Sequence, residues 1–231
     1  MARATQPPPP KATTARASLP SATRVPSDTL PLARPLNPYE RERVQDLAIA
    51  DLTPLRRYGF RGDDAAAWLV GLGFSAPPDR SHAVRHPDGH VVVLVGDRQF
   101  LVLPPLDPVA RGFWQTVTPP DANTRCWATP PRDGSLWFRV TGRRAPQVMT
   151  EIASTATQTS VLEDLQVMPV TVMRHAGLLV RDDLVGVVGY HILLIRASAS
   201  FLWTCVSNLI ADVGGVAINP DSLTALTTDR T

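Results

Sequence analysis

The sequence predicts an α+β fold of two related halves, each with antiparallel strands and packed helices, behind a disordered proline-rich tail. Two observations carry this. The order strand, glycine turn, helix, hairpin, helix runs twice along the chain, and two long copies indicate duplicated halves rather than a solenoid. Residues 1–38 contain Pro7 to Pro10 and five further prolines among Ser, Thr and Ala, and no glycine occurs before Gly59. Such a segment cannot bury a core. At 231 residues and 44% hydrophobic, the remainder is large enough to bury one without staples. The boundaries read as tail 1–38, first half 39–118, second half 119–216 and a short polar tail 217–231.

In order, Tyr39 to Ala48 predicts a short charged helix, and Ile49 to Phe60 a strand made irregular by Pro54. Gly62 turns the chain. Asp63 to Val70 predicts a helix with two acids in its first turn, where the dipole favours them, and Gly71 beyond its end. Val91 to Val95 and Gln99 to Leu103 flank Gly96-Asp97 and predict a hairpin, which Pro104-Pro105 stops. Asp107 to Thr116 predicts a helix capped by Asp107 with Pro108 first.

The second cycle opens with the alternating strand Ser135 to Thr141, the turn Gly142 and a helix over Arg143 to Ala153, its start restricted by Pro146. Val170 to Arg174 and Leu178 to Val180 read as strands about His175-Ala176-Gly177. Leu184 to Ile195 reads as further strand, interrupted at Gly186 or Gly189. Ser198 to Val213 is the clearest helix, with Leu202, Val206, Leu209 and Val213 on one face and Gly214-Gly215 ending it. Laid over each other, the cycles put Phe60 on Val140, Gly62 on Gly142, Ala65 on Ala145 and Leu69 on Met149. Phe100 of the first hairpin falls on Tyr190.

Charge is uneven. The net charge is +2. Arg3, Lys11, Arg16, Arg24 and Arg34 against Asp28 give the tail +4, so the body carries −2 and is not a nucleic-acid-binding surface. No apolar run approaches the ~20 residues of a membrane helix. The tail lacks the apolar stretch of a secretory signal. Cys126 and Cys205 make no disulfide framework and fit a reducing compartment, so the expected location is the cytoplasm.

Few residues suggest chemistry. His82, His86 and His90 stand four apart and on one helix would share a metal-binding face. Pro87 and Asp88-Gly89 break a helix there, so no metal is assigned. Asp63-Asp64 reads as a dipole partner of the helix start rather than an acid–base pair. Arg61-Gly62-Asp63 sits in a strand-to-helix context unsuited to an adhesion loop. Asp182-Asp183 reads as a hairpin turn. The exception is Arg143-Arg144. Cations in the first turn of a helix oppose its dipole, which points to an external anion or a partner carboxylate, unless the pair is simply solvated.

Three stretches resemble the glycine-cleavage T-protein and sarcosine oxidase superfamily. "IADLTPLRRYGFRGDDAAAWL" is similar to its opening, with Asp51, Leu52, Thr53, Gly62, Ala65 and Ala66 at the matching places. "VGDRQFLVLPP" resembles its hairpin. "GYHILLIRASASFLWTCVSNLIADVGG" resembles the C-terminal part of the sarcosine oxidase gamma subunit through Tyr190, Leu193, Leu194, Arg196, Ser198, Leu202 and Trp203. T-proteins carry an acid on the strand after a Gly-Gly turn. Here "DGHVVVLVGD" places Val91, Val92 and Val93 instead, and valine can neither accept a proton nor pair with a cation.

The resemblance therefore implies a gamma-type subunit with no catalytic, cofactor-binding or metal residues of its own. Larger flavin- and folate-binding chains of a hetero-oligomer would bear FAD, FMN, NAD and tetrahydrofolate, and the complex would oxidatively demethylate a secondary amine such as sarcosine. The rivals are a stand-alone folate-binding or one-carbon-transfer protein, and a binding protein that acts through its basic arm.

Overall fold

The computed structural model describes residues 38–107, 110–129, 135–154, 162–194, 199–220 and 222–223. The expected N-terminal tail up to residue 37, most of the short C-terminal tail, Pro108, Arg196 and Ser198 lie outside them. The described residues form two β-sheets and five α-helices.

The larger sheet contains β1 (Ala48–Asp51), β7 (Leu136–Thr141), β8 (Ala153–Ser154), β9 (Val167–Val172), β10 (His175–Arg181), β11 (Gly189–Leu194) and β12 (Val216–Ile218), in the order β12-β1-β7-β11-β10-β9-β8. The smaller contains β2 (Tyr58–Arg61), β3 (Ala83–Arg85), β4 (Val91–Gly96), β5 (Gln99–Leu103) and β6 (Trp127–Thr129), in the order β3-β4-β5-β2-β6. Pairing is antiparallel except between β1 and β12, which run parallel. The wholly antiparallel expectation is corrected there: the chain reaches β12 only after crossing the sheet through a helix, and a crossover delivers a parallel strand.

Side-chain alternation makes the layers. In β7, Leu136, Phe138 and Val140 join a core beneath α4 (Ala145–Ile152) and α5 (Ala199–Asp212). Trp137 between them faces the smaller sheet, where it packs with Val91, Val93 and Leu103. The opposite face of the smaller sheet, through Phe60, Val92, Phe100 and Val102, packs on residues of α2 (Ala65–Gly71) and α3 (Phe113–Thr116). The result is helix, sheet, sheet, helix, with α1 (Pro38–Asp46) against β1, β7 and β12. Each sheet takes a strand from across the boundary near residue 118: β1 lies in the larger sheet and β6 in the smaller.

Several local expectations change. The strand read over Ile49 to Phe60 is two strands in different sheets. Leu52 and Leu55 fill the inter-sheet core where the chain passes between them. The β9–β10 turn falls at Met173-Arg174, both at positive φ (46° and 69°), and His175 to Gly177 are already paired with β9. The first hairpin turns at Asp97-Arg98, with Gly96 paired to Gln99. The helix read over Asp107 to Thr116 is a short 3₁₀ turn, Ala110–Gly112, running into α3. Pro146 sits in the first turn of α4, where its missing N–H costs no helical bond.

Candidate functional site

The two glycine corners are built alike. Gly62 and Gly142 have φ of +131° and +118°. Each carbonyl accepts from the alanine that opens the following helix, Ala65 at 3.2 Å and Ala145 at 3.0 Å. In each, the residue before that alanine donates its N–H to a flanking backbone carbonyl: Asp64 to Arg125 at 3.2 Å, Arg144 to Asp46 at 3.0 Å. The side chains are charge-reversed. Asp63 pairs with Arg98 and Arg125, and Asp64 with Arg125 at 3.0 Å. Arg143 and Arg144 both meet Asp46, at 3.3 and 2.9 Å.

Asp63 and Asp64 stand at the start of α2, with Asp64 in the N-cap position rather than in the first turn. Both acids precede α2, Asp64 makes no capping bond to it, and its carboxylate accepts the Arg125 N–H at 3.0 Å instead. Arg144 also donates to the Val213 carbonyl at 2.7 Å, satisfying an acceptor just past the end of α5. The Arg143 side chain is 75% exposed, so most of its donors face solvent.

Between the sheets lies a buried ionic network. Arg139, on β7, and His191, on β11, face each other across register-paired positions. Asp182 follows β10. Arg139 Nη1 donates to Asp182 Oδ2 at 2.9 Å and Nη2 to the Asp182 carbonyl at 2.6 Å. Arg85, on β3 of the other sheet, donates through Nε to Asp182 Oδ1 at 2.9 Å and reaches Asp164 at 3.0 Å, joining the sheets. Trp137 Nε1 donates to His191 Nδ1 at 3.0 Å. That bond requires a lone pair on Nδ1, so a neutral His191 carries its proton on Nε2 and donates it to Asp182 Oδ2 at 3.0 Å. The nearby Arg139 Nη1 then faces a second donor, and both groups converge on the same carboxylate.

Burial pushes the Asp182 carboxyl up. The hydrogen bond from His191 and the charges of Arg139 and Arg85 more than offset this and hold it far below the usual carboxylate range. Burial first, then the Arg139 charge, holds His191 below its ordinary value. Burial also lowers His90, against the pull of Asp88. Because these folded-state values lie below the unfolded ones, an unfolded chain takes up protons that the folded chain refuses. Stability is fully present above the unfolded histidine value of about 6.5 and falls as pH drops through it. Asp182 adds a further loss below about 4. Urea midpoints are expected to fall between pH 7.5 and 5.5, with a slope of up to about 1.4 kcal/mol per pH unit for each such histidine. A flat profile would show that both histidines titrate normally.

The histidines of the "HAVRHPDGH" stretch come together in part. His86 and His90 meet Asp88 Oδ1 through Nδ1 at 2.7 and 2.8 Å, and their ligating atoms lie within 4.8 Å of one another. His82 instead bonds Asp79 at 2.9 Å. Trp114 Nε1 donates to His90 Nε2 at 2.9 Å, so the His90 proton sits on Nδ1 and is given to Asp88. A metal on that nitrogen would need an imidazolate, and the cluster is accounted for by hydrogen bonding. Thus Trp114–His90–Asp88 and Trp137–His191–Asp182 are two indole-to-imidazole-to-carboxylate chains.

The sequence reads Asp182 as part of a hairpin turn and gives Arg139 and His191 no expectation beyond strand. One signal was present: Arg139 and His191 interrupt apolar strands at positions that alternate with core residues. Val91 to Val93, where the superfamily acid is sought, are buried, with Val92 in one core and its neighbours in the other. Among the described residues, no helix is long and apolar enough to cross a membrane.

No protein-family model and no curated protein matches this chain. Solved structures do. A chain of the heterotetrameric sarcosine oxidase from Corynebacterium sp. U-96, in complex with pyrrole 2-carboxylate, superposes with a TM-score of 0.53 at 14% identity, covering 81% of this chain and 89% of that one. The glycine cleavage system aminomethyltransferase T from Bartonella henselae superposes with a TM-score of 0.55 at 12% identity, covering 82% of this chain and 52% of that one. At these identities the likeness is one of fold, an α+β architecture of the T-protein kind.

Proposed function

We propose that this chain is a non-catalytic, gamma-type subunit of a heteromeric sarcosine oxidase-like flavoenzyme that oxidatively demethylates a secondary amine in the cytoplasm. FAD, FMN, NAD and tetrahydrofolate would be carried by larger partner chains. The observation that supports this best is the span of the fold likeness, which takes in most of a chain from a heterotetramer but about half of the aminomethyltransferase. The residues agree with it. In the buried network Arg139 and His191 both turn to the Asp182 carboxylate, and valine fills the stretch where the superfamily acid is sought. Two T-protein-like halves, 39–118 and 119–216, belong to the same reading. Arg143, exposed at the second corner, is the residue proposed to meet a partner carboxylate.

The test is co-expression with candidate flavoprotein chains, followed by purification through a tag on this one. The expected result is a stable hetero-oligomer with flavin absorption bands and sarcosine-dependent oxygen uptake, while this chain alone is colourless. A chain that stays monomeric and retains no flavoprotein overturns the subunit reading. The likeness to an aminomethyltransferase favours one rival, a stand-alone folate-binding or one-carbon-transfer protein. Saturable micromolar binding of tetrahydrofolate to the isolated chain, measured by calorimetry, would select it.

A further inference from the structure

A groove on the outer side of the smaller sheet has a volume of about 400 Å³ and is lined by Tyr58, Phe60, Trp68 and Trp114, together with Pro120 and the exposed Arg56. Its back wall is a column of rings. Tyr58 stacks on Trp114 at 4.3 Å and 19°, and Trp114 on Phe74 at 5.6 Å and 7°. Phe60 bridges Trp114 at 5.5 Å and Trp68 at 4.6 Å. The column is fixed from behind, because the Trp114 N–H is held by His90, which is itself held by Asp88. A wall immobilised in this way loses little further freedom when a ligand packs on it.

The polar feature is cationic. The Arg56 guanidinium lies 5.3 Å above the Tyr58 ring, and no hydrogen bond or ion pair within the described residues engages it. Stacked on a ring, a guanidinium keeps its N–H donors at its edge, where they match a carboxylate in a two-point contact. Arg57, next along the chain, also lines the groove and donates through Nη2 to the Ser135 hydroxyl at 3.0 Å. Stacking walls select a flat ring, an exposed arginine with no described hydrogen bond or ion pair selects an anion, and the volume suits a small molecule rather than a folded partner.

We propose that this groove binds a small planar aromatic carboxylate, with the ring against Trp68 and Phe60 and the carboxylate on Arg56. The proposal is independent of the subunit reading and can fail or stand without it. The experiment titrates the full chain with 2-naphthoate by calorimetry and follows the tryptophan indole N–H resonances. Neutral 2-naphthylmethanol and non-planar cyclohexanecarboxylate serve as comparisons. Saturable binding of naphthoate is expected, with shifts confined to Trp68 and Trp114. Both comparison compounds should bind at least tenfold more weakly. Arg56→Ala should weaken naphthoate about tenfold, and Arg56→Lys by less. Arg56 is exposed, so these variants are expected to fold. Equal binding of the alcohol, an unchanged Arg56→Ala, or no saturation up to millimolar naphthoate overturns the proposal. So does binding of a tryptophan-bearing acidic peptide in place of naphthoate.

Discussion

Asp182→Asn is expected to destabilise the protein by about 3–5 kcal/mol, the cost of leaving a buried charge without its counter-ion. The substitution keeps the size of the side chain and the backbone carbonyl that accepts from Arg139, so the loss isolates the carboxylate charge. Arg139 is fully buried and stays protonated, because guanidinium does not give up its proton in proteins. With Asp182 neutralised, the Arg139 cation would have no partner carboxylate at contact distance among the described residues. Arg85 would keep Asp164 and suffer less. Urea denaturation at pH 7.5 measures the change. A loss below about 1 kcal/mol would mean that water reaches the network and screens it as it does a surface pair. Replacing Arg139 and Asp182 together by apolar residues of similar volume, with His191 kept as the acceptor of the Trp137 N–H, is expected to recover much of the loss, since a well-packed apolar substitute often matches a buried ion pair.

That network also marks where the sequence stops being readable. Glycine turns were legible because the backbone there demands what only glycine supplies. Gly62 and Gly142 were matched from spacing alone, and both have the positive φ that explains it. The Val91–Gly96 and Gln99–Leu103 hairpin and the long α5 were legible from period and caps, which are local. Sheet membership was not. Nothing in residues 49–60 says that Ile49 faces the helices of one sheet while Phe60 belongs to the other, because that is decided by strands far along the chain. The same holds for Asp182. Two adjacent acids after a strand look like a hairpin turn until β11 and β7 bring His191 and Arg139 onto the first of them. Arg139 is 43 positions away, and only the strand order makes them neighbours.

The second large effect is expected at Gly142. A methyl group there would stand 2.6 Å from the Asp46 carbonyl carbon and 2.8 Å from the Leu47 N, in addition to contact with the Asp46 carbonyl oxygen. All three are backbone atoms at the junction of α1 and β1, and they cannot swing aside as a flexible side chain would. The residue's φ of +118° is unfavourable for any residue with a Cβ. Together, backbone strain and overpacking predict that Gly142→Ala costs roughly 2–4 kcal/mol. Gly62→Ala meets the equivalent obstacle in the Arg125 backbone, 2.9 Å from its carbonyl carbon, yet it should cost less. The segment it displaces ends in the short edge strand β6, held at this corner by exposed ion pairs of Asp63 and Asp64 with Arg125. Asp46 instead leads into β1, a central strand paired on both sides, so a shift there disturbs the larger sheet itself. Thermal or urea denaturation of the two variants side by side tests the ranking. Equal losses would show that the cost lies in the dihedral angles alone, and a smaller loss at Gly142 would show that the α1–β1 junction yields more easily than the edge strand.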